Sequence, residues 1–255
     1  MTGPPTGRLD FEELGEGIGN AWAVLRDNAN RVGFEAPVPT CPGWTVRDLL
    51  AHQGMVHRWA TSVIRGFDLD TGAVEREGHE VPDLLGWLDE GARNLLQALV
   101  DAPDDLEARF FLKDAPPPKV AWARRQCHET TMHAVDARAA VLGREPLASE
   151  TWIRPRLAAD GLDELLAGFL PRRSSRVRSA EPRTVVVETT DTGDAWTLAI
   201  SQDPVVTTRE RAAQPDTVLR GEAVQLYLCL WNRGDEVPCD TDFLADWRRS
   251  MTVTF

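Results

Sequence analysis

Pro39-Thr-Cys-Pro-Gly-Trp-Thr-Val-Arg-Asp-Leu-Leu-Ala-His52 is a loop that turns into a helix. Pro37, Pro39 and Pro42 keep the stretch from Gly33 to Gly43 out of regular structure. Thr45 then offers an N-cap hydroxyl. Asp48, three residues on, supplies a capping-box carboxylate shorter than the usual Glu. From this start the sequence predicts a helix running to about Arg65.

Three further helices flank it. Leu9, Phe11, Leu14, Ile18, Trp22 and Leu25 recur every three to four residues and predict an amphipathic helix over Leu9–Val32. Leu84, Leu85, Leu88, Leu95, Leu96 and Leu99 form the stripe of a third, over about Pro82–Val100. The prolines of Ala115-Pro-Pro-Pro118 interrupt the chain, and a fourth helix follows from about Val120 to Leu142, closed by Gly143. Phe67–Glu80 is polar and reads as a loop, and residues 1–8 as a disordered lead. Four helices joined by loops predict a bundle.

The texture changes after Gly143. Pro155–Leu170 predicts one more helix and Arg172–Arg183 a basic connector. Thr184–Glu188 and Trp196–Ile200 are β-branched and apolar, and Asp191-Thr-Gly193 between them predicts a hairpin. Pro204–Thr208 and Thr217–Leu219 fit short strands, and Gly221–Trp231 an apolar helix ended by Asn232-Arg-Gly234. The fold class is therefore α+β in two domains: a helical bundle over residues 1–150 and an α+β domain over 151–255.

Bulk properties narrow the function. A net charge of -12 repels phosphate backbones and anionic lipid, so neither nucleic acid nor a membrane surface is an expected partner. No apolar run is long enough to cross a membrane, and the N-terminus lacks the apolar core of a secretory signal. A cytoplasmic setting is expected. There Cys41, Cys127, Cys229 and Cys239 stay reduced, and with no C-x-x-C pair they offer neither a dithiol nor a cysteine zinc site. Cys127 reads as a helix packing residue.

The fourth helix carries the chemistry: Arg124-Arg-Gln-Cys-His-Glu-Thr-Thr-Met-His-Ala-Val-Asp136. Glu129 and His133 are one turn apart on one face and can bite a single divalent metal ion, zinc by its ligand preference. A third ligand must come from elsewhere, and the second helix offers His52. His57 lies about 140° round that helix from His52, and His128 about 100° round the fourth helix from Glu129, so both are poorly placed to share the ion. His79 falls in the polar loop and reads as solvated. Three protein ligands would leave a fourth position open.

Three of these stretches also carry a resemblance. Residues 39–52 resemble the signature opening the second helix of the mycothiol-dependent maleylpyruvate isomerase family, within the DinB-like thiol-transferase superfamily. His128-Glu-Thr-Thr-Met-His-Ala-Val-Asp-Ala137 resembles that family's second signature. Gly221-Glu-Ala-Val-Gln-Leu-Tyr-Leu-Cys-Leu-Trp-Asn-Arg233 resembles its C-terminal helix ending in Trp-x-Arg. The resemblance implies a DinB-like four-helix metal-binding bundle followed by a sterol-carrier-like α+β domain. It implies metal ligation by His52, Glu129 and His133, and mycothiol as thiol cosubstrate acting on a small electrophile.

A metal-bound thiol ionises near neutral pH. Its thiolate could add to a cis double bond and leave after rotation, or remain as a conjugate, so isomerisation and S-transfer both stand. Arginine suits carboxylate binding. Arg125 with Asp136 is the candidate catalytic pair, Asp136 acting by orienting His133, while Arg220 and Arg233 are candidates for holding the cofactor. Two alternatives remain. One is a zinc hydrolase with metal-bound water and His128 or Asp136 as base. The other is a non-catalytic protein that binds a small ligand.

Overall fold

The computed structural model describes residues 8–251. The chain divides into two compact units. Asp10–Phe110 with Pro116–Pro146 forms one, and the other takes the chain from Leu147 together with Phe111–Ala115 and the segment ending at Leu9.

The helical unit contains α1 (Phe11–Val32), α2 (Val46–Arg65), α3 (Thr71–Glu80), α4 (Leu84–Asp101) and α5 (Pro118–Leu142). α1 lies along α5, and α2 packs on α3, α4 and α5. Thr45 caps α2 as read, its hydroxyl accepting from the Asp48 amide while the Asp48 carboxylate accepts from the Thr45 amide. Such a cap contributes about 1 kcal/mol. Gly43, at φ 90°, makes the turn before it; a side chain would be strained there. Leu49, Leu50, Val56, Ala60 and Ile64 bury one face of α2.

Phe67–Glu80 is not a loop throughout. Asp70 caps the ten residues of α3 through the Ala73 amide. The helix has almost no apolar stripe, and Gly78 is its one buried residue. It exists because α2 and α4 provide a surface for it, not because of its own periodicity. The helical unit therefore has five helices, four long and one short, and His79 lies on α3 rather than in a loop.

α5 is unusual in another way. From Ala121 to Ala137 every residue is buried, including Arg124, Arg125, Gln126, His128, Glu129, Thr130, Thr131, His133 and Asp136. A helix with this many buried polar groups must satisfy them by mutual hydrogen bonds or ions. Cys127 is among its buried residues, and none of the four cysteines is in a disulfide.

In the second unit α6 (Pro155–Asp163) runs into wider π geometry over Glu164–Phe169. A mixed four-stranded sheet follows in the order β3-β2-β1-β4. β1 (Arg183–Thr189) and β2 (Ala195–Ile200) form the antiparallel hairpin, with Val187 opposite Trp196, and β3 (Val206–Thr208) adds to β2. β4 (Thr217–Gly221) returns parallel to β1. α7 (Ala223–Leu230) is buried except at Gln225, and α8 (Phe243–Ser250), absent from the sequence reading, buries Phe243 and Trp247.

Buried Asp163 holds this unit together by accepting from Arg209, Arg8 and the Trp196 indole. Arg8, read as part of a disordered lead, is thus fastened; the remainder of that lead, residues 1–7, lies outside the described residues. No helix among the described residues is long and apolar enough to cross a membrane.

Candidate metal centre

Two helices and one loop bring the site together. α5 supplies Glu129 and His133, α2 supplies His52, and the loop before α2 supplies Thr40 and Trp44. Among the described residues, His52, Glu129 and His133 are the one cluster whose ligand atoms converge, all within 4.8 Å of one another. Oε1 of Glu129 is 3.2 Å from Nε2 of His133 and 3.8 Å from Nε2 of His52. Neighbouring ligand atoms on a tetrahedral zinc ion stand about 3.3 Å apart, given bonds near 2.0 Å.

The donors also fit a cation chemically. Oε1 of Glu129 is buried and accepts no hydrogen bond, although both imidazoles crowd it. An unsatisfied buried carboxylate oxygen is costly unless something positive completes it. Its other oxygen accepts from Arg125 at 3.1 Å, and Arg125 is 1% exposed. His133 is fixed from behind: its Nδ1 is 2.9 Å from Oδ2 of Asp136, and Oδ1 of Asp136 accepts from the Thr40 hydroxyl at 2.6 Å. A proton held on Nδ1 leaves Nε2 as the ligand atom.

The electrostatics agree. Burial opposes charge on Glu129, but His133, His52 and Arg125 outweigh it and hold the carboxyl well below the ordinary range. Burial likewise opposes an imidazolium at His133, yet Asp136 and Glu129 raise it to about 9. Both shifts show a position where positive charge is favoured, whether it is a proton or a metal ion.

The wall of the site is aromatic. The Trp44 ring lies 5.1 Å from the His52 ring and, nearly parallel, 6.2 Å from the His133 ring. His52 and His133 are 16% and 10% exposed, so the ligands face an accessible side rather than the sealed core.

The remaining polar residues take other places. His57 is buried, with its Nε2 3.1 Å from the Thr130 hydroxyl, which Gln53 also approaches at 3.3 Å. Burial, aided by Arg58, depresses its pKa to about 3. His79 pairs with Asp48 at 3.6 Å. Arg220 and Arg233 belong to the second unit. Arg220 is largely exposed on β4, 3.5 Å from Glu188. Arg233, after α7, donates to the Trp231 carbonyl at 2.8 Å. The sequence reading passed over Thr40, though it lay within the quoted motif, and over Glu75, whose Oε1 is 3.4 Å from Nδ1 of His52. A carboxylate at that place has no periodic pattern to announce it.

Fold and site together define a two-domain α+β protein whose helical part presents a His–Glu–His centre. The family model for the mycothiol maleylpyruvate isomerase N-terminal domain matches residues 17–138, which include all three candidate ligands. The C-terminal domain model of the same family matches residues 156–250. The chain belongs to the mycothiol-dependent maleylpyruvate isomerase family. A crystal structure of the mycothiol-dependent maleylpyruvate isomerase is similar at 14% identity, with TM-score 0.64, covering 91% of this chain and 93% of that one. A histidine-to-alanine mutant of that isomerase gives TM-score 0.63 at the same identity and coverage. At this identity the likeness is one of fold. No curated protein sequence matches the chain significantly.

Proposed function

We propose that this chain is a mycothiol-dependent isomerase, acting on a small unsaturated acid of the maleylpyruvate type, with a divalent metal at His52, Glu129 and His133. The carrying observation is the convergence of those three ligand atoms, within 4.8 Å, inside the family-matched N-terminal region. Zinc bound there would supply one thing: it would lower the pKa of a thiol so that thiolate is available at neutral pH.

The protein's own residues do the rest. Arg125 holds Glu129 in one rotamer and balances its charge, so we assign Arg125 to positioning rather than contact with substrate. Asp136, held by Thr40, keeps the His133 ring turned with Nε2 outward. Trp44 shields one side of both imidazoles from water. Mycothiol would supply the nucleophilic sulfur: reversible addition to one carbon of the cis double bond, with the electron pair taken up by the conjugated carbonyl, would leave a single bond free to rotate, and loss of the same sulfur would give the trans isomer and return the thiol. Were the carbon–sulfur bond to persist and the adduct to take up a proton, the outcome would be S-transfer. A hydrolytic role would need an accessible, uncommitted base; of its two candidates, His128 is fully buried, and Asp136 is fully buried and engaged with both His133 and Thr40.

Metal analysis of the purified protein, followed by assay with mycothiol and a panel of cis-unsaturated acids and alkylating agents, tests this. One metal per chain and mycothiol-dependent isomerisation are expected. Full activity in the chelated protein, or turnover without any thiol, would overturn it.

A further inference from the structure

The two candidate histidine ligands are each backed by a carboxylate, but from different sources. Asp136, behind His133, is fully buried and comes from the same helix. Behind His52 stands Glu75, 39% exposed and carried by the short helix α3. Its Oε1 is 3.4 Å from Nδ1 of His52.

This contact is half of a paired arrangement. Four residues further along α3, Nδ1 of His79 is 3.6 Å from Oδ1 of Asp48, four residues earlier on α2. Glu75 and His79 share one face of α3, and Asp48 and His52 share one face of α2. The two carboxylate–imidazole contacts therefore run antiparallel. Asp48 is itself fixed by the α2 cap, through the Thr45 amide and hydroxyl.

The close approach of α3 to α2 depends on Gly78. A Cβ there would stand 2.8 Å from the Trp87 ring and 3.0 Å from the Cα of Ala51, the neighbour of His52. A larger residue would lift α3 and carry Glu75 away.

We propose that Glu75 is a positioning residue for the metal centre: it accepts the Nδ1 proton of His52 and so presents Nε2 toward Glu129. The inference rests on the metal reading above. A carboxylate behind a ligating imidazole fixes its tautomer and ring angle, and loss of such a partner commonly weakens metal affinity 10- to 100-fold. As a partly exposed pair at 3.4 Å it contributes little to folding, so its removal should leave the helical unit folded.

The test compares wild type, Glu75→Ala, Glu75→Gln, Gly78→Ala and the exposed control Glu80→Ala. Zinc affinity is measured by chelator competition, the cobalt-substituted proteins are compared by visible absorption, and imidazole nitrogens of the metal-free proteins are followed by 15N NMR. Glu75→Ala is expected to bind zinc about 10- to 100-fold more weakly at unchanged stoichiometry, with an altered cobalt spectrum. Glu75→Gln, whose amide oxygen still accepts, should recover much of the affinity, and Glu80→Ala should match wild type. In the NMR spectra His52 should hold its proton on Nδ1 in wild type and mix tautomers in Glu75→Ala. Gly78→Ala should reproduce that mixing with Glu75 present. Unchanged zinc affinity, cobalt spectrum and His52 tautomer in Glu75→Ala would overturn the proposal. Failure of wild type to bind zinc would sink the metal reading, and the His52 tautomer would then decide the role of Glu75.

Discussion

Asp136 is fully buried and its carboxylate meets Nδ1 of His133 at 2.9 Å, one turn beyond the point where Glu129 meets the same ring from its other side. The imidazole is thus gripped between two carboxylates on one helix. Asp136→Ala should weaken metal binding about 10- to 100-fold, because nothing then accepts the Nδ1 proton and the wrong tautomer is admitted. Thr40→Val, which removes the hydroxyl that steadies Asp136, should have the same direction and a smaller size. Titration with zinc against a competing chelator reads both, and equal affinities in all three proteins would contradict the assignment.

Loading the site should stabilise the fold by mass action. With free zinc at one hundred times its dissociation constant, the gain is about 2.7 kcal/mol. Thermal melts with zinc and with chelator should differ for wild type and coincide for His52→Ala and Glu129→Ala.

Arg125 and Glu129 form a buried ion pair at 3.1 Å. Replacing Arg125 with Met would leave a buried carboxylate short of one compensating charge, at a cost of about 3 kcal/mol in the metal-free protein. Replacing both, as Arg125→Met with Glu129→Gln, should recover part of that loss while abolishing metal binding. Denaturant unfolding of the single and double variants measures the coupling.

His57 makes the acid side of the stability profile testable. Its folded pKa is depressed to about 3, against about 6.5 unfolded. Below 6.5 the unfolded chain takes up a proton that the folded chain refuses, so stability falls as pH drops from about 6.5 toward 3. The slope from this one group is about 1.4 kcal/mol per pH unit. His57→Asn, which keeps a polar group beside Thr130, should flatten that limb and leave stability above pH 7 changed far less in its pH dependence. An equally steep limb in the variant would assign the acid sensitivity elsewhere.

Where the chain has strong periodicity, its reading and the structure agree. Thr45 and Asp48 form the cap expected of them, and the long helices begin and end within about two residues of their sequence limits, as helix ends usually do. The β1–β2 hairpin was legible from its β-branched runs and its Asp-Thr-Gly turn. α3 was not, because a helix with two glycines and one buried position has no apolar period to detect. α8 was missed as well; Phe243 and Trp247, four apart, are too few to establish a stripe.

The site divides in the same way. That Glu129 and His133 share a helical face follows from the chain itself, since the helix repeat places residues four apart side by side. The motif around residues 39–52 named His52 as their companion. Which groups stand behind the ligands is a matter of tertiary packing. Thr40 reaches Asp136 across 96 positions of sequence, and Glu75 reaches His52 because Gly78 lets α3 lie close on α2. Local periodicity specifies the face a side chain occupies; only the packing of one helix on another determines what it meets there.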